Sequence, residues 1–372
     1  MYIIGFEIFS LRLNFYKIDF VYRGKCGFMD KIDFVLPWVD GQDRQWQAEK
    51  RRYEGKESAA EGDANDDCRY RDFGLLRYWF RSVEKFTPWV NNIYFVTCGQ
   101  KPDWLDESNP RLKLIDHRDY IPSEYLPTFN SNTIELNLFR LEELSEHFVL
   151  FNDDTFILRP LTPEFFFRNG DPVLPCSLAN PTWLGYSNAS RVVINNSGIL
   201  NYSMNVERQV WKHWNRFFNI RALGFMRAMK NLMSITVNRG VIFGSFGHLP
   251  QPHLKSTFTE IWEKKADIMD NVSRHRFRSD DCVSHWLACG WNMLNGRFHP
   301  DQARRKGTSV HLDDKTVDMV CRMIRDRSCP EICINDTENC ENITDLFGEV
   351  TKAFETLLPA KSSFEKITQK KG

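Results

Sequence analysis

Between residues 32 and 151 the chain alternates short apolar runs with stretches of helical periodicity, and that alternation admits few folds. The runs at 32–36, 93–97, 112–115 and 148–151 are too short for buried helices and read as strands. After the first, Leu75, Leu76, Trp79, Phe80, Val83 and Phe86 recur at helical spacing until Pro88 ends the pattern. Between the third and fourth, Ile134, Leu138 and Leu141 mark one face of a helix over about 132–144. Strands joined by helices pair in parallel, and ligands of such sheets bind beyond the carboxyl ends of the strands. Two acidic turns fall on that rim: Trp38-Val39-Asp40-Gly41-Gln42-Asp43 after the first strand and Asn152-Asp153-Asp154 after the fourth.

Each turn carries a chemistry. Asp153 and Asp154 leave a buried strand together, and two adjacent carboxylates with substrate phosphates suffice for a hard cation such as Mg²⁺ or Mn²⁺; an Asx-type turn without metal is the bland alternative. Trp38 offers a face to a base or sugar, Gly41 lets backbone approach a ligand, and Asp40 and Asp43 add carboxylates. Asn130 and Ser131 precede a helix, where free N–H groups favour a phosphate, although a simple N-cap explains the same residues. His248 and His253 share a Pro-rich turn, and either imidazole is a competent general base. Arg274, Arg276 and Arg278 alternate before Ser279-Asp280-Asp281, and guanidinium forks suit phosphate oxygens.

At 372 residues the chain can bury a large core and an insertion. Residues 31–165 read as the first part of an α/β core, 166–246 as a mostly helical insertion, and 247–340 as the second part of the core. In that second part, helices are expected near 257–267 and 280–288, the latter closed by Gly290, followed by a helix beyond Asp313 and a Cys-rich turn. Residues 341–372 read as a polar, fraying tail. Residues 1–30 read as a poorly packed extension, with the functional protein expected to begin near Met29. Residues 42–67 are polar and read as a loop or helix over the site. Forty-nine basic residues balance forty-nine acidic ones, which argues against nucleic-acid binding. No apolar run reaches the roughly 18 residues of a membrane span, so a soluble, cytoplasmic protein is expected, with peripheral association at the inner face of the membrane left open. Ten scattered cysteines read as free thiols in a reducing compartment, and Cys321, Cys329, Cys333 and Cys340 lack the paired spacing of a zinc site.

Taken together these segments resemble the Stealth family of polysaccharide phosphotransferases. The likeness lies in residues 32–43; in Arg71-Asp72-Phe73-Gly74-Leu75-Leu76-Arg77 onward through Pro88-Trp89-Val90, residues 126–131 and Glu135 to Asn152-Asp153-Asp154; in residues 248–255 onward to Arg278 and Asp281; and in residues 332–336. The resemblance implies a Rossmann-like, mostly parallel core similar to nucleotide-sugar glycosyltransferases, carrying a helical insertion. It implies transfer of a sugar 1-phosphate from a nucleotide-sugar, UDP-linked by family default, to a polysaccharide hydroxyl. Carried over residue by residue, Asp40 and Asp43 bind donor, Asp153 and Asp154 lie at a divalent metal or the diphosphate, His248 is the base, and Arg278 clamps phosphate. Trp38, Gly41, Arg77, Asn130 and Ser131 are further donor-site candidates. A metal-dependent glycosyltransferase releasing a nucleoside diphosphate would use the same acidic turn. A non-catalytic carbohydrate-binding protein is the reading from another class.

Overall fold

The structure, a computed structural model, describes residues 31–54, 70–179, 188–237, 242–243, 248–301, 307–336 and 342–366. Its centre is built from β1 (Ile32–Pro37), β2 (Ile93–Thr97), β3 (Leu112–Asp116) and β4 (His147–Leu150). Beyond them come β5 (Thr155–Ile157), β6 (Gln251–Leu254), β7 (Gly307–His311) and β8 (Glu331–Asn335). The main sheet runs β6-β4-β1-β2-β3. β1 pairs in parallel with β2 and β4, as does β2 with β3, while β6 lies antiparallel on β4. The mostly parallel, Rossmann-like α/β arrangement expected from the alternation is therefore the one observed.

β1 reads as a nearly continuous apolar run because both its faces are covered. Phe34 and Leu36 enter one core with Trp79, Phe80 and Phe95, whereas Val35 enters the other with Tyr94 and Phe148. Asp33 is the exception in that run. Its buried carboxylate accepts from Asn91 Nδ2 at 2.7 Å, the Asn92 amide at 3.0 Å and the Ser145 amide at 2.8 Å, tying β1 to the loops on either side.

Among the described residues, 342–366 are not a fraying tail. Ile343–Leu357 is a helix whose Leu346, Phe347, Val350 and Phe354 are buried in the first core, with Phe347 stacked on Phe73 at 3.8 Å. Beyond it, Phe364 is fully buried and Glu365 takes both a 2.7 Å and a 2.8 Å hydrogen bond from Arg81. Ile343, Leu346, Phe347, Val350, Phe354 and Leu357 recur at helical spacing, so the stripe stands in the sequence itself.

Other elements also depart from the sequence reading. The helix expected over 132–144 is only Ser131–Leu136, followed by a 3-10 turn at Leu138–Arg140. Asn137 divides them: it donates to the Thr133 carbonyl at 2.8 Å and accepts from Arg140, an alternative to the helical ladder. The expected 257–267 helix is two, Lys255–Lys264 and Ala266–Arg274. The 280–288 helix lies later, at Trp286–Leu294, with Gly290 buried inside it rather than closing it. Buried on all sides, that helix carries no amphipathic stripe to mark its ends. The Cys-rich turn is in fact β8, which pairs with β5 and β7.

The insertion begins later than residue 166. Phe166 and Phe167 pack in the sheet core, and Asp171–Pro175 runs parallel to His299–Asp301. The helices Asn188–Ser203, Val206–Lys212 and Phe225–Thr236 form the helical part. Their Leu200, Val210 and Ile235 join Val35 and Phe148 in one core, so the insertion is no separate domain. The expected extension at 1–30 and residues 55–67 of the 42–67 segment lie outside the described residues; residues 42–54 hold the helix Arg44–Tyr53.

Because Arg81 and Glu365 are both buried, removing one partner strands the other. Glu365→Ala is expected to lower unfolding free energy by about 3 kcal/mol in urea denaturation. A loss under about 0.5 kcal/mol, the scale of an exposed pair, would show the C-terminal segment to be dispensable.

Candidate active site

The carboxyl edge of the parallel sheet opens on a cavity of about 710 Å³, inside the size range of small-molecule sites. β4 delivers Asn152-Asp153-Asp154 to its wall. The turn is held on both sides: the Phe151 amide donates to the Val35 carbonyl at 2.9 Å, and the Ile334 amide donates to the Asp154 carbonyl at 2.9 Å. The Asp154 carboxylate accepts from Thr155 Oγ1 at 3.1 Å and from the Cys333 thiol at 3.3 Å. Burial raises the Cys333 thiol well above its usual range, so it stays protonated as a donor.

The two carboxyls are electrostatically uncomfortable. The tip of Asp153 is open to the cavity while protein surrounds the rest. Burial, then the charges of Asp154 and Asp72, push it up to about 8. Burial also raises Asp154, opposed by Cys333 and by the charge of His248. Asp72, on the same cavity, is raised by burial and by nearby Asp40. This donor set fits a divalent cation, whose charge would relieve the repulsion between the carboxyls that His248 and Cys333 offset only in part. Among the described residues no three acidic, His or Cys side chains converge on one point, so substrate oxygens would have to complete the coordination.

His248 and Arg278 reach the same cavity from elsewhere in the chain. β6 pairs with β4 so that Gln251 lies opposite Leu150, and His248, three residues before Gln251, lines the cavity with Asp153 and Asp154. The Thr155 hydroxyl lies 3.0 Å from the His248 carbonyl, fixing that approach. The His248 side chain is exposed, with its ring 6.3 Å from Trp286. His253, the other candidate, is fully buried against Phe148 and Phe258, with Nε2 3.0 Å from His285 Nδ1. It does not reach the cavity. Arg278 is half-buried and donates to Ser131 Oγ at 2.9 Å. Arg276 instead lies over the Tyr53 ring, off the cavity wall.

Trp38 and Ser131 line the cavity, but several expected donor ligands do not. Arg77 lies over the Trp104 ring, on the helix face turned toward the C-terminal segment. Asn130 is buried, capping its helix through the Asn132 amide while Nδ2 holds the carbonyls of His275 and Phe277. It thereby positions the segment carrying Arg278. Asp43 is the N-cap of the helix Arg44–Tyr53, accepting from the Trp46 amide at 2.8 Å. The Asp40 carboxylate accepts from the Gln42 amide, its backbone N–H donates to Gln100 Oε1 and its carbonyl accepts from Gln100 Nε2, and its charge acts on Asp72. Gly41 is required by protein rather than ligand: a Cβ there would lie 2.0 Å from the Tyr70 carbonyl oxygen.

The structure adds residues that sequence reasoning passed over. Arg71 and Asp336 form a 3.2 Å ion pair on the cavity wall. Glu135, buried behind Arg278, is pushed up to about 7 by burial and drawn back by that arginine. His285, lowered to about 3 by burial and then by His248, lies 3.9 Å from Glu135. Most of these stand inside the segments that carry the family likeness, so the signal was present, but nothing in their local spacing distinguished them.

A parallel sheet whose carboxyl edge presents paired carboxylates, a guanidinium and an imidazole to one cavity has the architecture of an α/β group-transfer enzyme. Stealth protein conserved region 1 matches residues 30–58, and conserved region 2 matches residues 69–173. Over 338 residues the chain is 43% identical to the capsular polysaccharide phosphotransferase WcwK of Streptococcus pneumoniae, covering 91% of this chain and 100% of that one. It is 37% identical to the receptor polysaccharide phosphotransferase WefC of Streptococcus gordonii, covering 91% and 99%. With the exopolysaccharide phosphotransferase cps2G of Lactiplantibacillus plantarum it shares 33%, covering 90% and 96%. A solved galactosyltransferase, LgtC with donor and acceptor sugar analogues, superposes at TM-score 0.37 and 11% identity over 85% of this chain and 95% of that one, too distant to bear on the chemistry. The chain belongs to the Stealth family of polysaccharide phosphotransferases.

The raised Asp153 carboxyl has a measurable consequence. Between its ordinary 3.8 and about 8, the folded chain holds a proton that the unfolded chain has released, so stability falls as pH rises through that interval. Asp153→Asn is expected to be more stable than the parent at pH 9 by on the order of 1 kcal/mol, allowing for solvent at the carboxyl tip, with the difference vanishing below about pH 4. Urea unfolding across pH reads this out. A variant less stable at pH 9 would show that the carboxyl is not strained.

Proposed function

We propose that the chain transfers a sugar 1-phosphate from a nucleotide-sugar, most simply a UDP-sugar, to a hydroxyl of a cell-surface polysaccharide. The reaction forms a phosphodiester and releases a nucleoside monophosphate. The observation that carries this reading is that Asp154, His248 and Arg278, far apart in sequence, line one cavity of a size to admit such a donor. The relatives' names support phosphotransfer to a polysaccharide in particular.

In this reading the acceptor oxygen bonds to the phosphorus that carries the sugar, the bond from that phosphorus to the bridging oxygen breaks, and the nucleoside monophosphate leaves with that oxygen. His248 takes the acceptor's proton. Arg278, oriented by the Ser131 hydroxyl, holds the phosphoryl oxygens as charge spreads over them. Trp38 offers its face to the donor. Asp153 and Asp154 would hold Mg²⁺ or Mn²⁺ against the diphosphate. Such an ion, when bound, neutralises charge on the phosphates. The work would be done in the cytoplasm, where nucleotide-sugars are at hand.

The decisive experiment incubates the protein with a panel of nucleotide-sugars, Mg²⁺ and a polysaccharide acceptor and identifies the released nucleotide by mass. A monophosphate is expected; a diphosphate would make the protein an ordinary glycosyltransferase and overturn the reading. In the same assay His248→Ala is expected to lower kcat by about 10² to 10⁴. Arg278→Lys is expected to lose about 10² or more, because an ammonium cannot reproduce the planar fork. Retention of full turnover by either variant would remove that residue from the chemistry.

A further inference from the structure

The helical segment over 206–237 leaves several large apolar side chains exposed beside its cations. Its longest helix, Phe225–Thr236, buries Ala228, Asn231, Ser234 and Ile235. Asn231 is fully engaged inward, accepting from the Leu178 amide at 2.9 Å and donating to the carbonyls of Cys176 and Phe217. The outward side instead holds Phe225 at 61% exposure, Met226 at 69% and Met233 at 59%, with Val237 at 70% just past the helix end. Met226, Lys230, Met233 and Val237 follow at helical spacing and form one exposed stripe. On the short helices Trp214–Phe217 and Ile220–Leu223 before it, Trp214 and Ile220 are exposed as well. A surface helix in contact only with water turns its apolar side to the core. Here Asn231 and Ser234 join Ala228 and Ile235 on the core side, while Phe225, Met226 and Met233 face out among cations.

Charge selects the partner. Residues 206–237 contain six basic side chains against a single acidic one, Glu207, a net +5 within a chain of net charge zero. Arg216 is turned inward to Asp171 at 2.9 Å, whereas Arg208, Lys212, Arg221, Arg227 and Lys230 are exposed among the apolar residues. A second copy docked on the same face would set like charges against one another. An anionic bilayer accepts both features: indole, phenyl and thioether groups enter the headgroup layer while the cations meet lipid phosphates.

We propose that this face docks the protein on an anionic membrane surface. The preceding helix, Asn188–Ser203, lends Val192 to the cavity wall, so the docking face and part of the catalytic cavity belong to one insertion. The inference rests on the surface alone and does not require the donor chemistry proposed above.

Flotation of the whole protein with vesicles tests it. Vesicles of phosphatidylcholine containing a third phosphatidylglycerol are expected to carry the protein at low salt, less so at physiological salt, and pure phosphatidylcholine vesicles not at all. The combined change Lys212→Ala and Lys230→Ala is expected to lower partitioning by on the order of 25-fold, at about fivefold per charge. Replacing Phe225, Met226 and Met233 by Ser is expected to abolish flotation with Tm unchanged, since these side chains support no core. Three results would overturn the proposal: no flotation of the parent on anionic vesicles at low salt, flotation of the triple variant equal to the parent's, or a concentration-dependent dimer that the triple variant abolishes.

Discussion

The catalytic edge depends on one pairing, the antiparallel addition of β6 to β4. The parallel part of the sheet would exist without it, since β1 already has β2 and β4 as neighbours. Without β6, however, nothing would bring His248 back to the end of β4 across more than ninety residues of chain. The pairing is secured from both sides: Leu254 joins the first core, and His253 is wedged between Phe148 and Phe258 beneath the sheet. His253 thus serves structure and His248 serves the site. The division follows from position: His253 lies within the buried strand, whereas His248 lies three residues before its start, in the bend at the cavity.

Around this edge the protein accepts local instability. Asp72, Asp153 and Asp154 crowd a partly enclosed wall, and burial pushes all three toward protonation. Folding alone gains nothing from such an arrangement, and perturbed carboxyls gathered at a cleft are a mark of function. The surroundings hold the strain in place. Cys333 and Thr155 donate to Asp154, Gly74 caps Asp72, and Asn130 fixes the segment carrying Arg278. Asp40, Asp43 and Asn130, to which the resemblance gives donor roles, shape the turns and helix starts around the site.

The parallel core was legible in the sequence because β1, β2 and β4 are covered on both faces and leave unbroken apolar runs. The tip at Asp153-Asp154 was legible because it directly follows such a run. Helix ends were less so: Asn137 breaks one helix by a side-chain bond that no local rule demands, and Gly290 sits inside another because that helix is buried all round. The C-terminal helix was legible as well, since Leu346, Phe347, Val350 and Phe354 recur at helical spacing and fill the core beside β5; the polar composition of the segment drew the reading to a tail. Arg71, Glu135, His285 and Asp336 escaped selection because their placement is set by tertiary contacts, which spacing along the chain does not encode.

The central claim is that the acidic tip of β4 and the imidazole before β6 serve a single bound diphosphate. Histidine-selective ¹⁵N labelling, with Mn²⁺ and a UDP-sugar added together, reads the geometry directly through paramagnetic broadening. The account predicts that the ring signals of His248 vanish while those of His299, on a strand outside the cavity wall, survive. Sharp His248 signals at saturating Mn²⁺ and donor would contradict it.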